Sequence, residues 1–219
     1  MTPQKPIKVA VVEDNRKLRL ELADMIMSQS GLECVGTHAS GEEALKQLPT
    51  TKPDVVLMDI HLQGMSGIDC TRQLREALPD TQIVMLTMFD DSEKIFAALR
   101  SGASGYLLKR YAAAELLGAI EQAHQGGSPM TPQIARQVVK AFHDEEKAPK
   151  PKADADLEQL TDRERELLSL MANGKHYKEV GDALNISTDT VRSHIRRIYK
   201  KLHVHSRTEA VVKFLGEQN

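Results

Sequence analysis

The chain has 219 residues, room for two domains of ordinary size, and its 41% hydrophobic and 27% charged content is that of a globular protein. No apolar run approaches the roughly 20 residues that span a bilayer, and the N-terminus MTPQKPIKVAVVED lacks a signal-peptide layout. Cys34 and Cys70 give neither a metal-type spacing nor a disulfide framework, so reduced thiols, a cytoplasmic location and no membrane partner are expected. The net charge of −2 hides an asymmetry. Residues 1–157 hold 18 Lys+Arg against 22 Asp+Glu, and residues 158–219 hold 11 against 9.

In chain order, short apolar strands are predicted at Ile7–Val12, Leu32–Thr37, Asp54–Met58, Gln82–Leu86 and Gly105–Leu108. Amphipathic segments lie between and after them, near 15–29, 41–48, 66–78, 91–101 and 112–125. Five successive βα units imply an α/β fold, a five-stranded parallel sheet with helices on both faces. The near-continuous apolar runs of the first, third and fourth strands suit burial on both sides. Thr131–Phe142 reads as one more helix, and HDEEKAPKPKADADLE, His143 to Glu158, as a solvated linker. The domains are therefore expected at 1–127 and 157–219, with a helix and flexible linker over 128–156 between them.

Beyond the linker only helices are predicted. Thr161 with Glu164, and Ser206 with Glu209, have capping-box spacing. In ALNISTDTVRSHIRRIYKKL a turn at Asn185–Ser187 precedes Val191, Ile195, Ile198 and Leu202 at helical spacing, with Ser187 or Thr188 as the cap. The other face is basic: Ser187–Arg207 holds six cations and one acid, Asp189. Short helices joined by a tight turn, the second basic, form the helix-turn-helix pattern. A basic amphipathic helix also suits membranes or calmodulin-like partners, but the accompanying helices favour double-stranded DNA.

In open α/β sheets, ligands sit at the carboxyl ends of the strands. Strand one ends in Glu13–Asp14, strand three in Asp59, strand four in Thr87 and strand five in Lys109. A flavodoxin-like, doubly wound order makes strands one and three neighbours, so that Glu13, Asp14 and Asp59 converge. Clustered carboxylates need a cation, and oxygen ligands suit Mg²⁺ (or Mn²⁺) better than Zn²⁺. With Lys109 and the Thr87 hydroxyl, these are the parts for moving a phosphoryl group onto an oxygen nucleophile. Asp59, alone on its strand, is the candidate nucleophile.

VVED, VLMDIHLQGMSG, LTMFDD and GYLLK, in that order, resemble the receiver domain of bacterial two-component response regulators over about residues 7–125. LTDREREL, NGKHYKEVGDALNISTDTVRSHIRRIYKKL and SRTEAV resemble the LuxR-type DNA-binding domain over roughly 157–217, and the pair is the layout of the NarL/FixJ family. The resemblance implies that Asp59 accepts phosphate from a sensor histidine kinase. It further implies that Asp14, Asp59 and the backbone carbonyl of His61 bind Mg²⁺, with Glu13 acting through water. Thr87 and Tyr106 match the family's switch pair, and homodimerisation and operator binding would follow phosphorylation. Gln63, Met88, Arg110 and Glu13 depart from common family choices, and so do His176 and Tyr177.

In the second half, Arg192, Ser193 and Arg196 are placed to reach base edges, where an arginine reads guanine for roughly 1–3 kcal/mol of discrimination. Lys178, Thr190, Arg197 and Lys201 are expected at phosphates. Ala210, Val211 and Phe214 of the last helix serve either a dimer or the domain's own core. Two alternatives remain open. One is a Mg²⁺-dependent phosphohydrolase, opposed by His61 where such enzymes carry a second Asp. The other is a phosphate-independent dimerisation module fused to a DNA-binding domain. The favoured reading is not an enzyme beyond self-phosphorylation and self-dephosphorylation at Asp59.

Overall fold

A computed structural model describes residues 5–88, 92–109, 113–145, 157 and 159–216. Arg110 and most of the predicted linker fall outside the described residues.

The first unit alternates β1 (Ile7–Val12), α1 (Arg16–Ser28), β2 (Leu32–His38), α2 (Gly41–Thr51), β3 (Val55–Asp59), α3 (Gly67–Ala77), β4 (Gln82–Thr87), α4 (Ser92–Arg100), β5 (Gly105–Leu108) and α5 (Ala113–His124). The strands pair in parallel in the order β2-β1-β3-β4-β5. Side chains alternate between two cores: Val9, Val11, Val55 and Leu57 enter one, while Ala10, Val12, Val56 and Met58 enter the other. Each valine, leucine or methionine among them is worth about 1.5–3 kcal/mol on burial, which is why the central strands read as unbroken apolar runs. Helix starts are set by local polar side chains. Asn15 caps α1, Ser40 caps α2 and Ser66 caps α3, each for about 1 kcal/mol.

β5 is the last strand of the sheet, but its outer side is covered. Tyr106 N–H donates to the Pro129 carbonyl at 2.9 Å, and Thr131 N–H donates to the Tyr106 carbonyl at 3.4 Å. α6 (Pro132–Glu145) follows, and its Ile134 and Val138 join the core that contains Tyr106 and Ile95.

The second unit contains α7 (Asp162–Ala172), α8 (Tyr177–Leu184), α9 (Thr188–Leu202) and α10 (Arg207–Leu215) around a separate core. Thr161 and Glu164 close a full capping box. Ser206 Oγ accepts from Glu209 N–H, but the Glu209 carboxylate reaches back to His205 N–H, so the second predicted box is only half formed. Ser187, not Thr188, caps α9, and Asn185 supplies the left-handed turn residue before it.

Candidate functional site

The β1, β3 and β5 ends meet as the topology requires. Carboxylate oxygens of Glu13, Asp14 and Asp59 all lie within 4.8 Å of one another. Lys109 Nζ stands 2.7 Å from Glu13 Oε2 and 2.9 Å from Asp59 Oδ2. Glu13 and Asp59 are buried and Asp14 is half-buried, so Asp14 faces the side from which a hydrated ion would enter. Three carboxylates against one ammonium leave a formal charge of −2, which a divalent cation offsets. An all-oxygen donor set open on one side fits Mg²⁺ with its retained waters.

Burial pushes the Glu13 carboxyl above the ordinary glutamate value, and the Asp59 charge adds to this against the pull of Lys109. Burial opposes the charge on Lys109, but its bonds to Glu13 and Asp59 prevail and hold its pKa above the ordinary lysine value. Lys109 therefore stays a cation at neutral pH.

Two local devices place Asp59. α3 starts against its backbone: a Cβ on Gly67 would lie 1.8 Å from the Asp59 carbonyl oxygen, so only glycine fits there. Gly67 N–H also donates to the Ile60 carbonyl at 3.0 Å. Thr87 and Tyr106 are both fully buried, on adjacent strands. Met88 is 55% exposed and Gln63 is exposed, so neither side chain needs the interior. His61 Nε2 is 2.8 Å from Lys94 Nζ on α4.

Arg19 has no sequence signal beyond its position on α1, yet its Nη1 donates to the carbonyls of Glu13 at 2.6 Å and Asp14 at 3.2 Å. It thereby fixes the loop that carries two of the three acids. Arg19→Ala is expected to weaken Mg²⁺ binding about tenfold, the lower end for residues that orient metal ligands. Titration of Mg²⁺ against the purified chain, followed by calorimetry, checks this.

In the helical unit, Lys178, Thr190 and Arg197 are exposed. Arg192 and Arg196 are turned to the first unit. Arg192 Nη2 donates to the His124 carbonyl at 3.4 Å, and Arg196 Nη1 lies 3.2 Å from Asp80 Oδ2. Arg196 Nη2 also reaches Ser193 Oγ at 3.3 Å. Arg75 adds two bonds to the His205 carbonyl, at 3.3 and 3.1 Å. The basic face expected at DNA is thus partly covered.

Lys201 departs from its expected place at phosphate. Its Nζ is 2.5 Å from Oε2 of the buried Glu164, which also accepts from Thr161 N–H and Oγ–H. Burial raises the Glu164 pKa, but Lys201 and Thr161 outweigh it and hold the carboxyl below the ordinary value. Lys201→Met should cost about 2–3 kcal/mol, less than a fully enclosed pair because the ammonium is partly solvated. Because the folded pKa is depressed, this stability is present above the ordinary carboxylate range and is lost as pH falls through the folded value. Urea melts at pH 7 and pH 3 should show the difference between parent and variant shrinking in acid. Ala210 and Phe214 fill the domain's own core, while Leu215 is 44% exposed.

The geometry agrees with the comparisons with known proteins. Response regulator receiver domains match residues 9–121, and the bacterial regulatory proteins of the luxR family match residues 158–214. The transcriptional regulatory protein LiaR of Bacillus subtilis is 36% identical over 206 residues, 94% of this chain and 95% of its own. The response regulator protein VraR of Staphylococcus aureus is 35% identical over 207 residues, again 94% and 95%. A solved LuxR-family two-component response regulator from Aurantimonas sp. SI85-9A1 has a TM-score of 0.60 and 32% identity, covering 63% of this chain and 98% of that one. ChrA, the response regulator of a heme-sensing two-component system, has a TM-score of 0.53 and 28% identity over 98% and 99% of the two chains. With five parallel strands converging on an acidic pocket and a luxR-type helical unit behind it, the chain belongs to the NarL/LuxR family of response regulators.

Proposed function

We propose that Asp59 is the phosphoacceptor of a transcription regulator and that a sensor histidine kinase is its donor. The observation that carries this reading is Lys109, whose ammonium joins Glu13 and Asp59 and leaves the pocket the charge deficit of one divalent cation. A carboxylate oxygen of Asp59 attacks phosphorus; the O–P bond forms as the N–P bond to the donor's histidine breaks, and the imidazole leaves as the neutral ring once protonated. Asp14, Asp59 and the His61 carbonyl would hold Mg²⁺, with Glu13 through water, and the ion would supply positive charge to offset that of the phosphoryl oxygens. Lys109 holds a second of those oxygens and Thr87 donates its hydroxyl to a third. Phosphorylation adds about −1.5 to −2 charge, which biases the Thr87/Tyr106 pair.

Arg192, Ser193 and Arg196 then serve as base-reading residues, and Lys178, Thr190 and Arg197 as phosphate contacts. Lys201 is reassigned to the domain's own stability. The docking of Arg192 and Arg196 on the receiver supports regulation by release: DNA and receiver use the same two arginines. Homodimerisation on an operator follows release, with the receiver, carrying α6 on its core, and residues 157–219 moving as units. Incubation with acetyl phosphate and Mg²⁺, followed by intact mass, tests the assignment. The expected result is one phosphoryl group on the parent and none on Asp59→Asn. Equal uptake by both would place the acceptor elsewhere.

A further inference from the structure

One segment, His124 to Thr131, touches both the switch and the DNA-binding half. At its first end, three successive carbonyls accept bonds from the helical unit. His124 accepts from Arg192 Nη2, Gln125 accepts from Tyr177 N–H at 3.0 Å, and Gly126 accepts from Arg207 Nη1. These carbonyls end α5, where the helix dipole is negative and the acceptors lack intrahelical partners. Their donors are two guanidinium groups and the first amide of α8.

The other end of the segment lies along β5. Pro129 and Thr131 bond both backbone groups of Tyr106, and Ile134 and Val138 just beyond share its core. Tyr106 is fully buried, so a rearrangement of the Thr87/Tyr106 pair shifts the groups packed around it. Only Gly127 and Ser128 separate the two ends. Gly126, at φ +84°, presses on the Tyr177 ring: a Cβ there would lie 2.4 Å from it. Gly127 faces the His176 ring at 3.0 Å in the same sense. His176 and Tyr177, which depart from the family's usual choices, thus form the latch on the helical side.

We propose that His124–Thr131 is the relay from the switch to the DNA-binding domain, its three carbonyls holding Arg192, Arg207 and the first amide of α8 against the receiver until Tyr106 withdraws them. This rests on the function proposed above.

Amide hydrogen exchange at Tyr177 reads the relay directly. As the first residue of α8, its N–H has no acceptor within the helix, so protection reports the Gln125 carbonyl. In the full chain that amide should be protected before phosphorylation and lose at least tenfold protection after acetyl phosphate and Mg²⁺. Gly105→Ala puts a Cβ 2.7 Å from Pro129 Cγ and O. It should prise the segment off β5, expose Tyr177 N–H without phosphorylation and raise affinity for DNA enriched from random sequence at least tenfold. Gly126→Asn, a residue that tolerates positive φ, should do the same from the other end.

Persistent Tyr177 protection in the phosphorylated parent, while DNA affinity rises, would overturn the relay. So would a Gly105→Ala chain that stays latched while Gly126→Asn opens. If Asp59 takes up no phosphoryl group, the function proposed above fails. The relay then stands or falls on the two glycine variants, which need no phosphorylation.

Discussion

Asp59→Asn is expected to lose all phosphoryl uptake and yet to be more stable than the parent by about 0.5–2 kcal/mol, the usual gain from one stabilising substitution. The loss follows because the amide oxygen is no nucleophile at phosphorus. The gain follows from charge: Glu13 and Asp59 are both buried, and the Asp59 carboxylate raises the Glu13 pKa. With asparagine in place, Lys109 keeps its 2.7 Å bond to Glu13, and the amide oxygen can still accept from it. Millimolar Mg²⁺ should reduce or reverse the advantage, since an ion that binds the folded parent more tightly stabilises it more. Thermal melts of both chains, with and without Mg²⁺, check sign and reversal together. A variant less stable than the parent in chelator would show that the pocket is not under net repulsion.

The opposite effect is expected of Lys109→Met. Glu13 and Asp59 then keep their burial and lose their shared cation, and breaking such a buried pair costs about 3–5 kcal/mol. The sign with pH is set by Glu13. Its folded pKa is already raised, chiefly by burial, and rises further once Lys109 is gone. A raised carboxyl contributes stability that is full below the ordinary glutamate value and is lost as pH rises through the folded value. The variant should therefore lose stability from acid toward neutral pH more steeply than the parent, and Mg²⁺ should restore part of it. In the parent, the raised Lys109 pKa adds stability that is present below the ordinary lysine value and is lost only as pH rises through the folded one. Urea melts across pH separate the two slopes.

The elements that repeat a local pattern were legible from the residues alone. β1 and β5 fall where apolar runs place them, and α9 spans Thr188–Leu202 as its spacing predicts. β3 is displaced by one residue, Val55–Asp59 instead of Asp54–Met58, because Asp59 itself pairs with Leu86 across the sheet. α2 runs through Pro49 to Thr51, since a proline near a helix end forfeits one bond and the left-handed Lys52 closes the turn. The acidic pocket was readable because strand order sets which ends meet. Arg19 and Lys94 were not, because each acts through a contact that no sequence period records. Lys201 has the spacing of an outward-facing cation, and only the buried position of Glu164 on another helix decides its role. The docking of the two halves was equally silent. It depends on carbonyls at the end of α5 whose partners lie about fifty to eighty residues further along the chain.

Affinity of the full chain for DNA enriched from random sequence, measured before and after acetyl phosphate and Mg²⁺, bears most directly on the central claim. A rise of at least tenfold in the parent, absent in Asp59→Asn, is the result expected of a switch that frees Arg192 and Arg196. Equal affinity in both states, or the same rise in Asp59→Asn, would contradict it.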